Sequence, residues 1–414
     1  MVETITKRRA GNRQSRCESM TTSSPTKIMV VGMLDSIHLA RWLENAKFPK
    51  EFEVILIPTS PMRKIHPRLK NWLDIKKTDP YCKITLSPWL IALAIPLWLA
   101  DRDLVLRRRL LGLVIRSSIS KYKPGIVHLL ESQGAGYGYL QSTRAQLNLT
   151  AQPRIILTLF GSDLFWFSQF PKHKDRLQRL LYKVDFLSTE CSRDLVLART
   201  LGFTGQGVSG HPVGGGLQEE NIVSPSAGQV RDIISIKGYG GTWGLGHLVI
   251  PVLAKHSDVL REKKVVIYSA SRRAARACRA YLGPLGVTYE IYKKHSLTQE
   301  ELLEIFRSSL MHIGISKSDG LPASMLESMS QGAFPIQSRT ACIDGWFEHG
   351  VSGLATEPNT QGISQAIEAV SSGLLDFEKA RAMNVNKILQ SYNLGNLGDD
   401  PSAGIYLKFS SGAI

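Results

Sequence analysis

The sequence predicts an α/β protein of two domains, each a parallel sheet flanked by helices, facing one another across a cleft. Three observations carry this. Short runs rich in Val, Ile and Leu alternate with helical patterns along most of the chain, the mark of strand–helix–strand units. A glycine-rich stretch between 202 and 228, centred on Gly214-Gly215-Gly216, splits that alternation into two halves and reads as an interdomain linker. The length, 414 residues, exceeds one ordinary core.

In the first half, Lys27–Gly32 reads as a buried strand, and Asp35 or Ser36 then caps a helix over Ile37–Ala46 with Leu39, Trp42 and Leu43 on one face. Glu53–Ile57, Ile126–Leu130 and Arg154–Leu159 are further strands, the last two running into polar, glycine-bearing turns. The second half repeats the plan with strands at Asp232–Ile236, Lys264–Tyr268, Leu310–Ile315 and Phe334–Ile336. Thr298-Gln299-Glu300-Glu301 is a capping box that opens a helix through Ser308. A helix over Leu321–Gln331 has Pro322 in its first turn and Gly332 as its stop. Helices follow at Gly362–Ser372 and Asp376–Gln390.

These elements divide the chain into a disordered basic tail (1–26), a first domain (27–205), a linker (206–229) and a second domain (230–375). Residues 376–414 form a helix returning to the first domain, then loop. The tail lacks the apolar core of a signal peptide, and Met20 is a second candidate start. The apolar run Pro88–Ala100 is too short to span a bilayer, which needs about 20 residues. With the arginine-studded segment after it, the run is read as a core helix in preference to an interfacial one.

The net charge is +16, placed unevenly: residues 1–220 hold 32 Lys+Arg against 18 Asp+Glu, and residues 221–414 hold 19 against 17. A basic first domain attracts an anion. The five cysteines are scattered, with no C-x-x-C pair. That pattern predicts neither a disulfide framework nor a structural zinc site, and it fits a reducing compartment.

The segment richest in chemistry is Ser316–Ile336. It places Asp319 at a strand-to-helix turn and Glu327 eight residues on, within the helix. Gly320 allows close approach to backbone, and the free N–H groups at the helix start favour negative charge. One carboxylate can bind sugar hydroxyls there, and the other can accept two hydroxyls of a ribose.

This segment resembles the signature of glycosyltransferase family four, the retaining transferases of the GT-B fold with two Rossmann-like domains. Other stretches fit the same family: Asp35–Leu43, Lys123–His128, Thr158–Asp163, Pro212–Gly216, Asp344–Phe347 and Gly350–Leu354. The resemblance implies that the second domain binds a nucleotide-sugar donor, UDP- or GDP-linked. Asp319 and Lys237 would be catalytic. Glu327, Gly320, Leu321, Ser324, Lys237 and Gly238 would hold the donor. Ser36, His38, His128, Glu131, Gln133 and Asp163 would line the acceptor side.

The chain departs from the family pattern at three places. Asp319 stands where Glu is commoner. Many members have His-x-His after the second acceptor-domain strand, the second His contacting the sugar, and here that position is Leu130, followed by Glu131 and Gln133. After Lys237 no second Lys or Arg follows within Gly238–His247, so His247 or a cation from elsewhere must serve the diphosphate. The resemblance implies no metal and no cofactor beyond the donor. The expected acceptor is a glycan or lipid-linked molecule met in the cytoplasm or at the inner membrane face. Nucleic acid is not expected, because no recognisable binding module is present. Two other readings stay open: a different GT-B enzyme, such as a nucleotide-sugar epimerase or an inverting transferase, and a non-catalytic GT-B protein that binds an anionic partner.

Overall fold

The computed structural model describes residues 25–59, 65–86, 105–143, 152–210, 212, 215–223, 230–395 and 404–410. The basic tail as far as Ser24, Met20 included, the run Pro88–Ala100, and Val213 and Gly214 of the linker turn lie outside them. Thr26, the last residue assigned to the tail, opens the first strand.

The first sheet comprises β1 (Thr26–Gly32), β2 (Phe52–Pro58), β3 (Cys82–Leu86), β4 (Ile126–Leu130), β5 (Arg154–Thr158), β6 (Phe186–Ser188) and β7 (Gln206–Val208). Its seven strands lie in the order β3-β2-β1-β4-β5-β6-β7, all parallel. The second sheet comprises β8 (Ile233–Lys237), β9 (Lys264–Tyr268), β10 (Tyr289–Ile291), β11 (Ser309–Gly314), β12 (Phe334–Ser338) and β13 (Leu354–Thr356). Its six strands run β10-β9-β8-β11-β12-β13, again all parallel. The α/β fold with two parallel-sheet domains is therefore as the sequence predicts. Strands covered on both faces read as near-continuous apolar runs, and β2 is buried along its whole length, Glu53 included.

Local signals mark the helix ends. Thr298 accepts from the Glu301 N–H, and the Glu301 carboxylate accepts from the Thr298 N–H, completing the capping box. Gly332 turns the chain at φ +80° after a helix that spans Ala323–Ser330, with Pro322 one position outside it as N-cap. The helix Val105–Tyr122 buries Leu111, Ile115 and Ile119 against the first sheet and leaves Leu113 exposed. That part of the arginine-studded segment belongs to the core.

Two boundaries differ from expectation. Gln206–Val208, assigned above to the linker, pair with β6 as an edge strand. The return to the first domain is not made by Phe377–Ser391. That helix packs on the second domain through Ala380, Val385 and Ile388. A further helix, Ile405–Ser410, falls where only loop is expected, and Ile405 and Tyr406 sink into the first-domain core. Tyr406 is the cause: its ring fills a gap beside Trp42 and His128, and the six residues are too few for a periodic pattern to show.

Candidate active site

In each sheet the strand order reverses next to the first strand, between β1 and β4 and between β8 and β11. A crevice forms at the carboxyl ends of such strands, and the candidate residues gather at these two points.

On the second domain, β8 ends in Lys237 and β11 leads to Asp319. Lys237 Nζ lies 3.7 Å from Asp319 Oδ2 and 4.6 Å from the centre of the Tyr239 ring. Tyr239 Oη donates to the same oxygen at 3.4 Å. Asp319 Oδ1 accepts from the Gly320 N–H at 3.0 Å. Burial, with the Asp319 charge behind it, raises the Tyr239 pKa, so this hydroxyl keeps its proton and remains a donor.

Glu327 is buried in the helix behind Asp319. Its Oε1 accepts from Gln299 Nε2 at 3.4 Å and faces Arg41 Nη2 of the first domain at 3.6 Å. Burial raises the Glu327 pKa, opposed by Arg41 and then Lys237. Ser324 Oγ is buried and faces the buried Tyr268 hydroxyl, whose burial-raised pKa it partly offsets. Two other expected donor-side groups are already engaged. The Gly238 N–H donates to the Tyr268 carbonyl at 2.8 Å, and the Leu321 N–H donates to Glu190 Oε2 at 2.8 Å.

On the first domain, Ser36 caps the Ile37–Asn45 helix by accepting from the His38 N–H at 3.2 Å. The His38 ring sits 5.0 Å from the Phe160 ring. The residue is exposed at the cleft, and crowding by the protein around it, then the Arg41 charge, lowers its pKa, with Asp319 opposing and Lys237 adding to the effect. His38 is therefore a neutral imidazole facing the Asp319–Lys237 pair. Glu131 holds the turn after β4 at φ +85°, and Gln133 Nε2 donates to the Asp163 carbonyl at 3.0 Å.

Two acceptor-side expectations are corrected by their surroundings. His128 is fully buried, with Nδ1 2.6 Å from Tyr406 Oη and Nε2 2.8 Å from Thr158 Oγ1. Burial lowers its pKa to about 3, so it is a neutral core residue and does not line the cleft. Asp163 is also buried. Its carboxylate accepts from the Ser132 N–H at 2.7 Å, Ser132 Oγ at 3.0 Å and the Phe160 N–H at 2.8 Å. It ties the β4 turn to the β5 turn and leaves little capacity for a ligand.

Several residues at the domain contact are not singled out by the sequence. Arg41 is one. Glu190, just past β6, is another: burial, with Asp319, Asp194 and Asp163 behind it, pushes its pKa up to about 8, while the Leu321 N–H opposes. The signal available was an acid at the carboxyl end of a parallel strand. Arg193 Nη1 donates to the Thr340 carbonyl at 2.9 Å and Nη2 to the Asp319 carbonyl at 3.3 Å. Gly161, at φ +94°, presses on the backbone of Gly320, where a Cβ on either would overlap the opposite domain. Ser318 Oγ donates to Ser162 Oγ at 3.1 Å across the same contact. The facing surfaces of the two domains therefore touch.

The cysteine expectation is also corrected. Cys191 of the first domain and Cys342 of the second form a disulfide, 151 residues apart in sequence. Scattered spacing hides such a pair because only domain contact brings it together. These sulfurs and Asp194 are a candidate metal cluster among the described residues, but the sulfurs are bonded to each other and are not thiolates.

The architecture is the GT-B fold: two α/β domains with parallel sheets facing across a cleft. Solved structures similar to it include a sucrose-phosphate synthase from Thermosynechococcus elongatus (TM-score 0.63, 12% identity, 93% of this chain and 100% of that chain). Anabaena HepE in complex with UDP and glucose is similar at TM-score 0.60, with 12% identity over 93% of this chain and 100% of that one. A glycosyltransferase from Rickettsia africae is similar at TM-score 0.59, with 14% identity over 94% of this chain and 99% of that one. No family model matches the sequence, and no curated protein matches it. No helix among the described residues is long and apolar enough to cross a membrane.

Proposed function

We propose that this chain is a retaining glycosyltransferase that moves a hexose from a nucleotide-diphosphate sugar to an acceptor bound by the first domain. The observation that carries the reading is the grouping of Lys237, Asp319 and Glu327 at the strand-order reversal of the second sheet, opposite His38 of the first.

In this reading Glu327 accepts the ribose hydroxyls, Ser324 supports the same end of the donor, and Asp319 binds the transferred sugar. Lys237 faces the diphosphate. Arg41 supplies the second cation missing from Gly238–His247, and it comes from the opposite domain. The bond from the anomeric carbon to the leaving phosphate oxygen breaks, and the acceptor oxygen bonds that carbon on the same face. The acceptor proton passes to the departing phosphate oxygen. Lys237 and Arg41 stabilise the charge that builds on the diphosphate, and contact between the domains excludes water. His38, neutral at physiological pH, orients a sugar or acceptor hydroxyl without adding charge.

The Thermosynechococcus and Anabaena structures support this assignment through their names alone: a sucrose-phosphate synthase, and a protein in complex with UDP and glucose. The basic first domain favours an anionic acceptor, such as a lipid diphosphate.

A second reading, a GT-B protein that binds an anionic partner without catalysis, is favoured by one observation. Arg41 and Glu190 already engage Glu327 and the Leu321 N–H. Incubation with UDP-glucose, followed by NMR of the freshly released sugar, tests the choice. Slow hydrolysis giving the α anomer first supports retention. The β anomer first contradicts it, and no turnover with any nucleotide-sugar favours the non-catalytic reading.

A further inference from the structure

Glu190 is a first-domain residue that reaches the donor side of the second domain. It follows β6 and is 7% exposed. Its Oε2 accepts from the Leu321 N–H at 2.8 Å and covers Gly320, where a side chain would overlap it. The neighbouring N–H, that of Gly320, is held by Asp319 Oδ1 at 3.0 Å. The turn that leads into the helix Ala323–Ser330 thus carries two carboxyl oxygens, and one of them comes from the opposite domain.

Packing does not call for that carboxyl. Cys191, the next residue, sits in an apolar cluster with Leu321, Met325 and Tyr392, and burying a polar group beside such a cluster is unfavourable. Nor do the domains need it to stay together here. Cys191 is bonded to Cys342, and the Cys342 N–H donates to the Gly320 carbonyl at 2.9 Å. Titratable groups face Glu190 from both domains: Asp163 and Asp194 from the first, Asp319 and Tyr392 from the second. Burial and the three acids keep it protonated at neutral pH. A protonated carboxyl offers the N–H a neutral oxygen, whereas an ionised phosphate oxygen makes a shorter and stronger bond to the same donor.

We propose that Glu190 keeps the place of a donor phosphate oxygen on the Gly320–Leu321 turn and is displaced by the incoming nucleotide diphosphate, so that a first-domain residue sets the affinity for the donor. The inference rests on the donor reading above and adds that the turn is occupied from within the chain until the donor arrives. The disulfide holds the Glu190 backbone beside the turn, so the exchange is a swing of the side chain. Apparent donor affinity is then reduced by the fraction of molecules in which the carboxyl stays in place. A ligand without phosphate makes no claim on the Leu321 N–H and is indifferent to Glu190.

The test is calorimetric titration of the full chain, of Glu190→Ala and of Glu190→Gln. The ligands are UDP and GDP, with uridine and guanosine as the counterparts that lack phosphate. The Ala variant should bind the diphosphate at least fivefold more tightly than the native chain. The Gln variant, whose amide oxygen accepts from the same N–H, should keep the native affinity. Nucleoside binding should be equal in all three. Should Glu190→Ala not fold, Glu190→Ser is the second truncation and must show the same gain. A diphosphate affinity in the truncated variant equal to or below the native one overturns the proposal and leaves the donor reading standing. An equal gain for the nucleoside also overturns it, since that marks a general loosening of the domain contact. Binding of neither diphosphate by any of these proteins overturns the donor reading itself, and the proposal with it.

Discussion

Arg41, on the first helix of one domain, reaches across the cleft to Glu327 in the other, with Nη2 3.6 Å from Oε1. It is the charge that most opposes the burial-driven rise of the Glu327 pKa. A carboxyl that must accept ribose hydroxyls works best ionised. Arg41→Ala should therefore raise the Glu327 pKa further and weaken UDP binding, more at pH 6 than at pH 8. Calorimetric titration at the two pH values measures this, and a loss independent of pH would show that Arg41 contacts the ligand without tuning the carboxyl.

Glu190 gives a stability signature with a definite sign. Its folded pKa, about 8, lies above the ordinary carboxylate value, so the folded chain holds a proton that the unfolded chain has lost. The contribution is fully present at low pH and declines as pH rises from about 4.5 to about 8. Glu190→Gln should flatten that decline and make the variant the more stable protein at pH 8. Unfolding midpoints of both proteins across pH 5–9 measure it.

Tyr406 joins the two ends of the chain. Its hydroxyl meets His128 Nδ1 at 2.6 Å and accepts from Trp42 Nε1 at 3.2 Å. Tyr406→Phe leaves both nitrogens buried and unpaired, at a cost of about 1–3 kcal/mol. Urea unfolding should show that loss with no change in nucleotide binding.

Where the glycines of the two domains meet there is no room for a side chain. Gly161→Ala puts a methyl group into the Gly320 backbone and onto a backbone at φ +94°, which L residues adopt reluctantly. The domains must part to admit it. We expect kcat to fall at least tenfold while UDP binding to the second domain is kept, read from steady-state kinetics beside a titration.

The disulfide between Cys191 and Cys342 closes a loop long enough to contribute roughly 5 kcal/mol in the chain-entropy model. A reducing agent should lower the unfolding midpoint of the native chain and leave Cys342→Ser unmoved.

Eight of the thirteen described strands were legible because parallel strands are buried on both faces and read as mainly apolar runs, interrupted by single polar residues such as Glu53 in β2 and His128 in β4. The others, β3, β6, β7, β10 and β13, all but β3 three residues long, were not. The Thr298 capping box and the Gly332 stop were legible because both are local hydrogen-bonding motifs. Asp319 and Glu327 were singled out because Ser316–Ile336 resembles one contiguous family signature, and Lys237 because it ends the first strand of the second domain. Arg41, Glu190 and the Cys191–Cys342 pair could not be, since their roles exist only where two domains touch. His128 misled for the related reason that its partner, Tyr406, lies 278 residues away.

The central claim, that Glu327 and its neighbours hold a nucleotide-sugar, is tested most directly by thermal unfolding of the native chain and Glu327→Ala. The panel is UDP, GDP, ADP and CMP, each with and without its sugar. A ligand at a hundred times its dissociation constant adds about 2.7 kcal/mol. The account predicts that one nucleotide stabilises the native chain and leaves the variant unmoved. No shift with any of the four, in a folded sample, would contradict it.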